Sequence, residues 1–140
     1  MIRKIPVSAI MTQSVICLEK EDNLEDAEYL FKIHHIRHIP IVNSKSIIGM
    51  LSKTDLQRIG LWNDTEDDKD FSTNTLARSN KTIEEVMTKK LTCVSSSTSV
   101  KKVAEIFAKE TFHALPVVDN NMLIGIVTTT DLINFLLKQF

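Results

Sequence analysis

A 140-residue chain that repeats itself without a gap has little freedom in its architecture. Residues 7 to 56 align with residues 83 to 132 at a constant offset of 76, and eleven positions are identical: Met11, Thr12, Cys17, Phe31, Pro40, Val42, Ile48, Gly49, Thr54, Asp55 and Leu56 in the first copy. Most other apolar positions stay apolar. An ungapped match of this length marks duplication of a ~50-residue unit, and a unit that small buries too little surface to be stable alone. The two copies are therefore expected to form one core, packed through their sheets with pseudo-two-fold symmetry.

Both copies read as β-α-β-β-α, a mixed α/β (α+β) unit. An opening helical turn precedes Met11-Thr12 and Met87-Thr88; in the second copy Thr82-Ile-Glu-Glu85 has the form of a capping box. Val15–Leu18 and Leu91–Val94 are short β-branched runs that predict strands. Asp22-Asn-Leu-Glu25 opens a helix with Leu24, Ala27, Leu30 and Phe31 on one face; its counterpart carries Val100, Val103, Ala104 and Phe107. Strands are predicted over 39–42 and 47–51, joined by the polar turn 43–46, and a closing helix begins near Thr54 or Thr130. The expected division is 1–60 for the first copy, 61–81 for an acidic linker holding Trp62 and the charge run 64–70, and 82–140 for the second copy.

Seventeen basic against 18 acidic residues leave a formal charge of −1, which disfavours a uniformly basic nucleic-acid binder. Basic residues at 37, 53, 58, 78, 81, 89, 90, 101 and 102 are interleaved with acids. No apolar run approaches the ~20 residues needed to cross a bilayer, and no signal segment opens the chain, so a cytoplasmic location is expected. Cys17 and Cys93 stand alone in apolar runs and are expected to be buried thiols; Met11, Met87 and Met122 are expected to fill core space.

The ordered succession of the M-T turn, the strand-helix, the h-P-h-V strand and the G-h-h-[ST]-x-[ST]-D end, occurring twice, resembles a tandem CBS-domain pair, or Bateman module. The resemblance covers about 100 residues. It implies a regulatory module that binds an adenosine-containing effector (AMP, ADP, ATP with Mg²⁺, or S-adenosylmethionine) in clefts between the repeats. It also implies homodimerisation into a flat four-repeat disc. Because so short a chain leaves no room for an effector domain, output is expected through another protein, or the chain is part of a longer one.

The residues support that chemistry independently. A helix start following a strand offers unpaired N–H groups to an anion, and Ser52, Thr54, Thr128 and Thr130 add neutral hydroxyl donors. Asp55 and Asp131 would repel phosphate but suit a ribose diol, since a carboxylate accepts hydrogen bonds from two adjacent hydroxyls. Either Asp could equally be an ordinary first-turn acid. Carried over from the resemblance, the first site comprises Thr12, Val15 and Ile16 around the base, His38 and Ile39 beside it, and Ser52, Thr54 and Asp55 at ribose and phosphate. The second comprises Thr88, Leu91 and Thr92, then Ala114 and Leu115, then Thr128, Thr130 and Asp131. Arg37 and His113 hold the position from which a basic side chain reaches phosphate, and the extra cations of the first copy predict unequal phosphate environments.

Two other chemistries are disfavoured. His34 and His38 have a four-residue spacing, but the strand at Ile39 implies that the helix has already ended, and no further ligand completes a metal site. No G-x-S-x-G, H-E-x-x-H, P-loop or G-x-G-x-x-G is present, and no nucleophile is placed beside a base, so no enzyme is expected. The competing readings are a dimerisation module with empty clefts and a nucleic-acid-binding pair.

Overall fold

The computed structural model describes residues 4–60, 81–111 and 113–140. Local rules account for most of the elements. A 3-10 turn, Val7–Ala9, opens the chain. Helix α1, Leu24–His34, is closed at its N-terminus by a capping box: Asn23 accepts from the Asp26 amide and Asp26 accepts from the Asn23 amide. His35, left-handed at φ 52°, ends it. His34 and His38 therefore do not share a helical face. Strands β2, His38–Asn43, and β3, Ser46–Ser52, form an antiparallel hairpin, and β4, Ala114–Asp119, with β5, Met122–Thr128, repeats it. Both hairpins turn through two residues at positive φ, Ser44-Lys45 and Asn120-Asn121, the type I′ geometry that follows the twist of the strands. Helix α2, Lys53–Arg58, and helix α5, Thr129–Leu137, start in capping boxes at Ser52/Asp55 and Thr128/Asp131. Helix α3, Ile83–Val86, starts in the Thr82/Glu85 box that its sequence predicts, and helix α4, Val100–Lys109, is capped by Ser99. The fold is mixed α+β.

The opening strands are shorter than their composition suggests. Only Leu18–Glu19 forms a strand, β1, parallel to β2, and in the second repeat only Val94 bridges Val117. Leu18 and Val94 are buried, and the alternation of side chains turns their neighbours Cys17 and Cys93 outward. The thiols are exposed, contrary to the expectation of burial; partial desolvation still pushes both up from their ordinary pKa, with Glu19 and Asp22 adding to the effect at Cys17. Met122 also departs from expectation. It stands beside the hairpin turn and is 41% exposed, whereas Met87 is buried and Met11 packs on a core. The expected acidic linker lies outside the described residues, Lys81 excepted, as does Trp62.

The compact units do not coincide with the sequence repeats. Ile16–Leu91 forms one unit, and residues up to Val15 join Thr92–Phe140 in the other. Each repeat thus receives the opening turn of the other copy. In the 16–91 unit, Ile83 and Met87 enter a core with Leu18, Phe31, Ile39, Ile41, Leu51 and Leu56. In the 92–140 unit, Val7 is fully buried with Val94, Val103, Leu115, Val117 and Val127, and Ile10 and Met11 pack against them.

Two glycines admit these turns. A Cβ on Gly125 would lie 2.6 Å from Met11 Sδ and 3.0 Å from the Thr12 carbonyl, whereas one on Gly49 would meet only the flexible side chain of Met87. Gly125→Ala must therefore displace backbone and is expected to cost about 2–3 kcal/mol in urea melts, with Gly49→Ala costing less. The reverse order would mean that the 4–12 segment yields easily.

Candidate functional site

Backbone hydrogen bonds bring each M-T turn to a Ser/Thr–Asp end. Thr12 and Ile126 exchange bonds, Thr12 N–H to the Ile126 carbonyl at 2.8 Å and Ile126 N–H to the Thr12 carbonyl at 3.0 Å. Thr88 and Met50 do the same at 2.8 and 2.9 Å. Thr12 therefore belongs with Thr128, Thr130 and Asp131, and Thr88 with Ser52, Thr54 and Asp55. This is the opposite of the grouping expected from sequence order, and its cause is the exchange of opening turns. Val15 and Thr92 likewise fall in the 92–140 unit and Ile16 and Leu91 in the 16–91 unit.

Strand register sets the rest. His38 faces Ser52 and Ala114 faces Thr128, while the carbonyls of Arg37 and His113 accept from the amides of Lys53 and Thr129 at 3.0 Å. Ile39 and Leu115, expected beside the base, are fully buried, main chain included, and present no surface to a ligand in this structure. Arg37 and His113 are exposed.

The Ser/Thr–Asp ends are tightly organised. Asp55 Oδ2 accepts from the Ser52 amide at 2.9 Å and Ser52 Oγ accepts from the Asp55 amide at 3.0 Å. Asp131 and Thr128 match this at 2.9 and 3.1 Å. These boxes use amides that the sequence reading left for an anion. The amides of Lys53, Thr129, Asp55 and Asp131 are all taken, whereas among the described residues no hydrogen bond beyond its own helix engages the amide of Thr54 or Thr130. That amide and the exposed hydroxyl on the same residue form a small neutral donor pair. The two carboxylates differ, however. Asp55 is 4% exposed and its Oδ1 accepts from Arg58 Nη2 at 2.6 Å; Asp131 is half-buried and its Oδ1 has no protein partner among the described residues.

The CBS domain family model matches residues 7–61 and 83–138. The chain belongs to the CBS domain family. CBS domain-containing protein YhcV of Bacillus subtilis is 29% identical over 127 residues, 90% of this chain and 81% of that protein. Protein MJ1225 of Methanocaldococcus jannaschii is 29% identical over 132 residues, 94% of this chain; the match spans only 42% of that protein. The crystal structure of the CBS domain pair of protein MJ0100, in complex with 5′-methylthioadenosine and S-adenosyl-L-methionine, superposes with a TM-score of 0.75 at 25% identity, covering 94% of this chain and 99% of the other. In this CBS pair, each compact unit therefore carries one M-T turn from one repeat and one Ser/Thr–Asp end from the other. Nothing in the spacing of the motifs signals that exchange. Among the described residues no three His, Cys, Asp or Glu side chains are grouped to hold a metal, and no helix is long and apolar enough to cross a membrane.

Proposed function

We propose that this CBS pair is a regulatory module, not a catalyst, that binds an adenosine-containing effector of the AMP, ADP, ATP or S-adenosylmethionine type, ATP carrying Mg²⁺. It transmits binding through a change in the shape of its own homodimer or of an effector protein in the cytoplasm. The observation that carries this reading is the meeting of Thr12 with the Thr128/Asp131 box, mirrored by Thr88 with Ser52/Asp55. A carboxylate for a ribose diol then lies at the same helix start as hydroxyl and amide donors for phosphate. The likeness to an adenosyl-binding CBS pair supports the same ligand class. Binding regulates only if two conformations differ in affinity for the effector.

Thermal melts with AMP, ADP, Mg²⁺-ATP, NAD and S-adenosylmethionine test the proposal. A ligand at a hundred times its Kd is expected to add about 2.7 kcal/mol to the folded state. No shift with any of them would favour a dimerisation module, and salt-sensitive retention of oligonucleotide would favour nucleic-acid binding.

A further inference from the structure

The exchange of opening turns also exchanges charge. Lys89 and Lys90 follow Thr88 and travel with it to the Ser52/Asp55 end of the 16–91 unit, whereas Gln13 and Ser14 follow Thr12 to the Thr128/Asp131 end of the 92–140 unit. All four side chains are exposed. The first end already carries Lys53 and Arg58, where the second has Thr129 and Asn134, and Arg37, where the second has His113. The nearby acids do not cancel this excess. Glu84 and Glu85 lie on α3 ahead of Thr88, with Glu85 taken up in capping Thr82, and Glu19 accepts from the Ser44 amide at the hairpin turn, the opposite end of β3 from Ser52. Helix α2 has only six residues and offers little dipole, so side-chain charge decides what this end accepts.

The carboxylates divide in the same way. Asp55 is buried and neutralised by Arg58 at 2.6 Å. Asp131 is half-buried, and across residues 12–14 and 128–134 it is the only formally charged side chain. A ribose hydroxyl that takes Oδ1 of Asp55 must displace the Arg58 guanidinium, which then lacks an anion at an end already rich in cations. A phosphate on the same ligand replaces that anion, whereas a sulfonium adds one more cation. At Asp131 the preference reverses, because a phosphate meets an uncompensated carboxylate and a sulfonium is attracted to it.

We propose that the two ends sort adenosine ligands by charge: a phosphorylated one at Ser52/Asp55, with Arg58, Lys89 and Lys90 as the specificity-determining residues, and an uncharged or cationic adenosyl compound at Thr128/Asp131. This rests on the adenosine reading of the site and adds which ligand class goes to which end. The repeat supplies two equivalent scaffolds, and positions 53, 58, 89 and 90 make them chemically different. One chain then responds to two ligand classes without competition between them.

Calorimetry on the full chain with ADP, S-adenosylmethionine and uncharged adenosine tests this. ADP and S-adenosylmethionine are each expected to saturate in the presence of the other. The triple variant Arg58→Asn, Lys89→Gln, Lys90→Ser gives the first end the second copy's residues at exposed positions. It should weaken ADP by about tenfold or more, leave S-adenosylmethionine unchanged and bind adenosine no more weakly than the native chain. Lys89→Gln with Lys90→Ser, which keeps the Asp55–Arg58 contact, should still weaken ADP by about threefold or more. Asp131→Asn should weaken S-adenosylmethionine by about tenfold while ADP follows the first end alone. Competition between ADP and S-adenosylmethionine for one site, indifference of ADP to both lysine variants, or loss of ADP binding in Asp131→Asn would overturn the sorting and leave adenosine binding standing. Parallel loss of adenosine in the triple variant would assign those residues a structural role and also overturn it. No binding of any of the three probes would remove the adenosine reading itself, and the sorting with it.

Discussion

Removing residues up to Thr12 is expected to unfold the second repeat while the first keeps its hairpin. The segment is remote in sequence from 92–140 but structurally belongs with it. Val7 is fully buried there, and its amide donates to the Thr98 carbonyl at 2.6 Å. Truncation also removes the Ser8 bond to Ser96, the Val100 bond to Ile5 and the paired bonds between Thr12 and Ile126. Each unmade buried backbone bond costs about 1–3 kcal/mol, and loss of a buried apolar side chain adds about 2 kcal/mol or more. Against a stability of about 5–15 kcal/mol for a typical domain, the combined loss is enough to melt the unit. Amide hydrogen exchange is the direct readout: protection over 114–128 should collapse while that over 38–52 persists. Val7→Ala, a milder change, should cost about 2 kcal/mol with the same regional signature. Collapse beginning in 38–52 would contradict the assignment of the turn to the 92–140 unit.

Features governed by neighbouring residues were legible in the sequence. The Thr82/Glu85 box, the helix opened near Asn23 and the polar turn after the first h-P-h-V strand follow from capping and turn chemistry within four or five residues, although that turn is two residues, Ser44-Lys45, rather than the four expected over 43–46. The exchange of opening turns was not legible, because duplication makes Val7 and Ile83 equivalent. Either could fill the core of either repeat, and only tertiary geometry decides between them. The extent of strand β1 failed for a related reason. A β-branched composition marks Val15–Leu18 as strand-like, but the neighbouring strand engages only Leu18–Glu19, so Cys17 falls outside the core. At the candidate site, residue types were readable and their grouping was not. The Arg58 contact that distinguishes Asp55 from Asp131 likewise depends on a rotamer one turn along the helix, where the second copy has Asn134.

That contact makes the two aspartates unequal in an experiment. Asp131→Ala is expected to weaken an adenosine ligand about 100-fold at one site, because two hydrogen bonds from a ribose diol to a carboxylate, at about 1.5 kcal/mol each, are lost. The same change removes the bond from the Thr128 amide and costs about 1 kcal/mol of stability. Asp131→Asn separates the two roles: its amide oxygen still accepts from Thr128, so stability should be nearly retained while affinity falls by about tenfold with the charge. At Asp55 a ligand must compete with Arg58, and the side chain is almost fully buried. Asp55→Ala should therefore cost more stability, about 1–2 kcal/mol, and less affinity than the change at Asp131. Calorimetry with AMP and S-adenosylmethionine, paired with urea melts of all three variants, distinguishes these effects. If stability falls at both positions and affinity at neither, the carboxylates serve only to cap their helices, and the ribose contact must be sought among the exposed hydroxyls of Thr12, Thr54, Thr88 and Thr130.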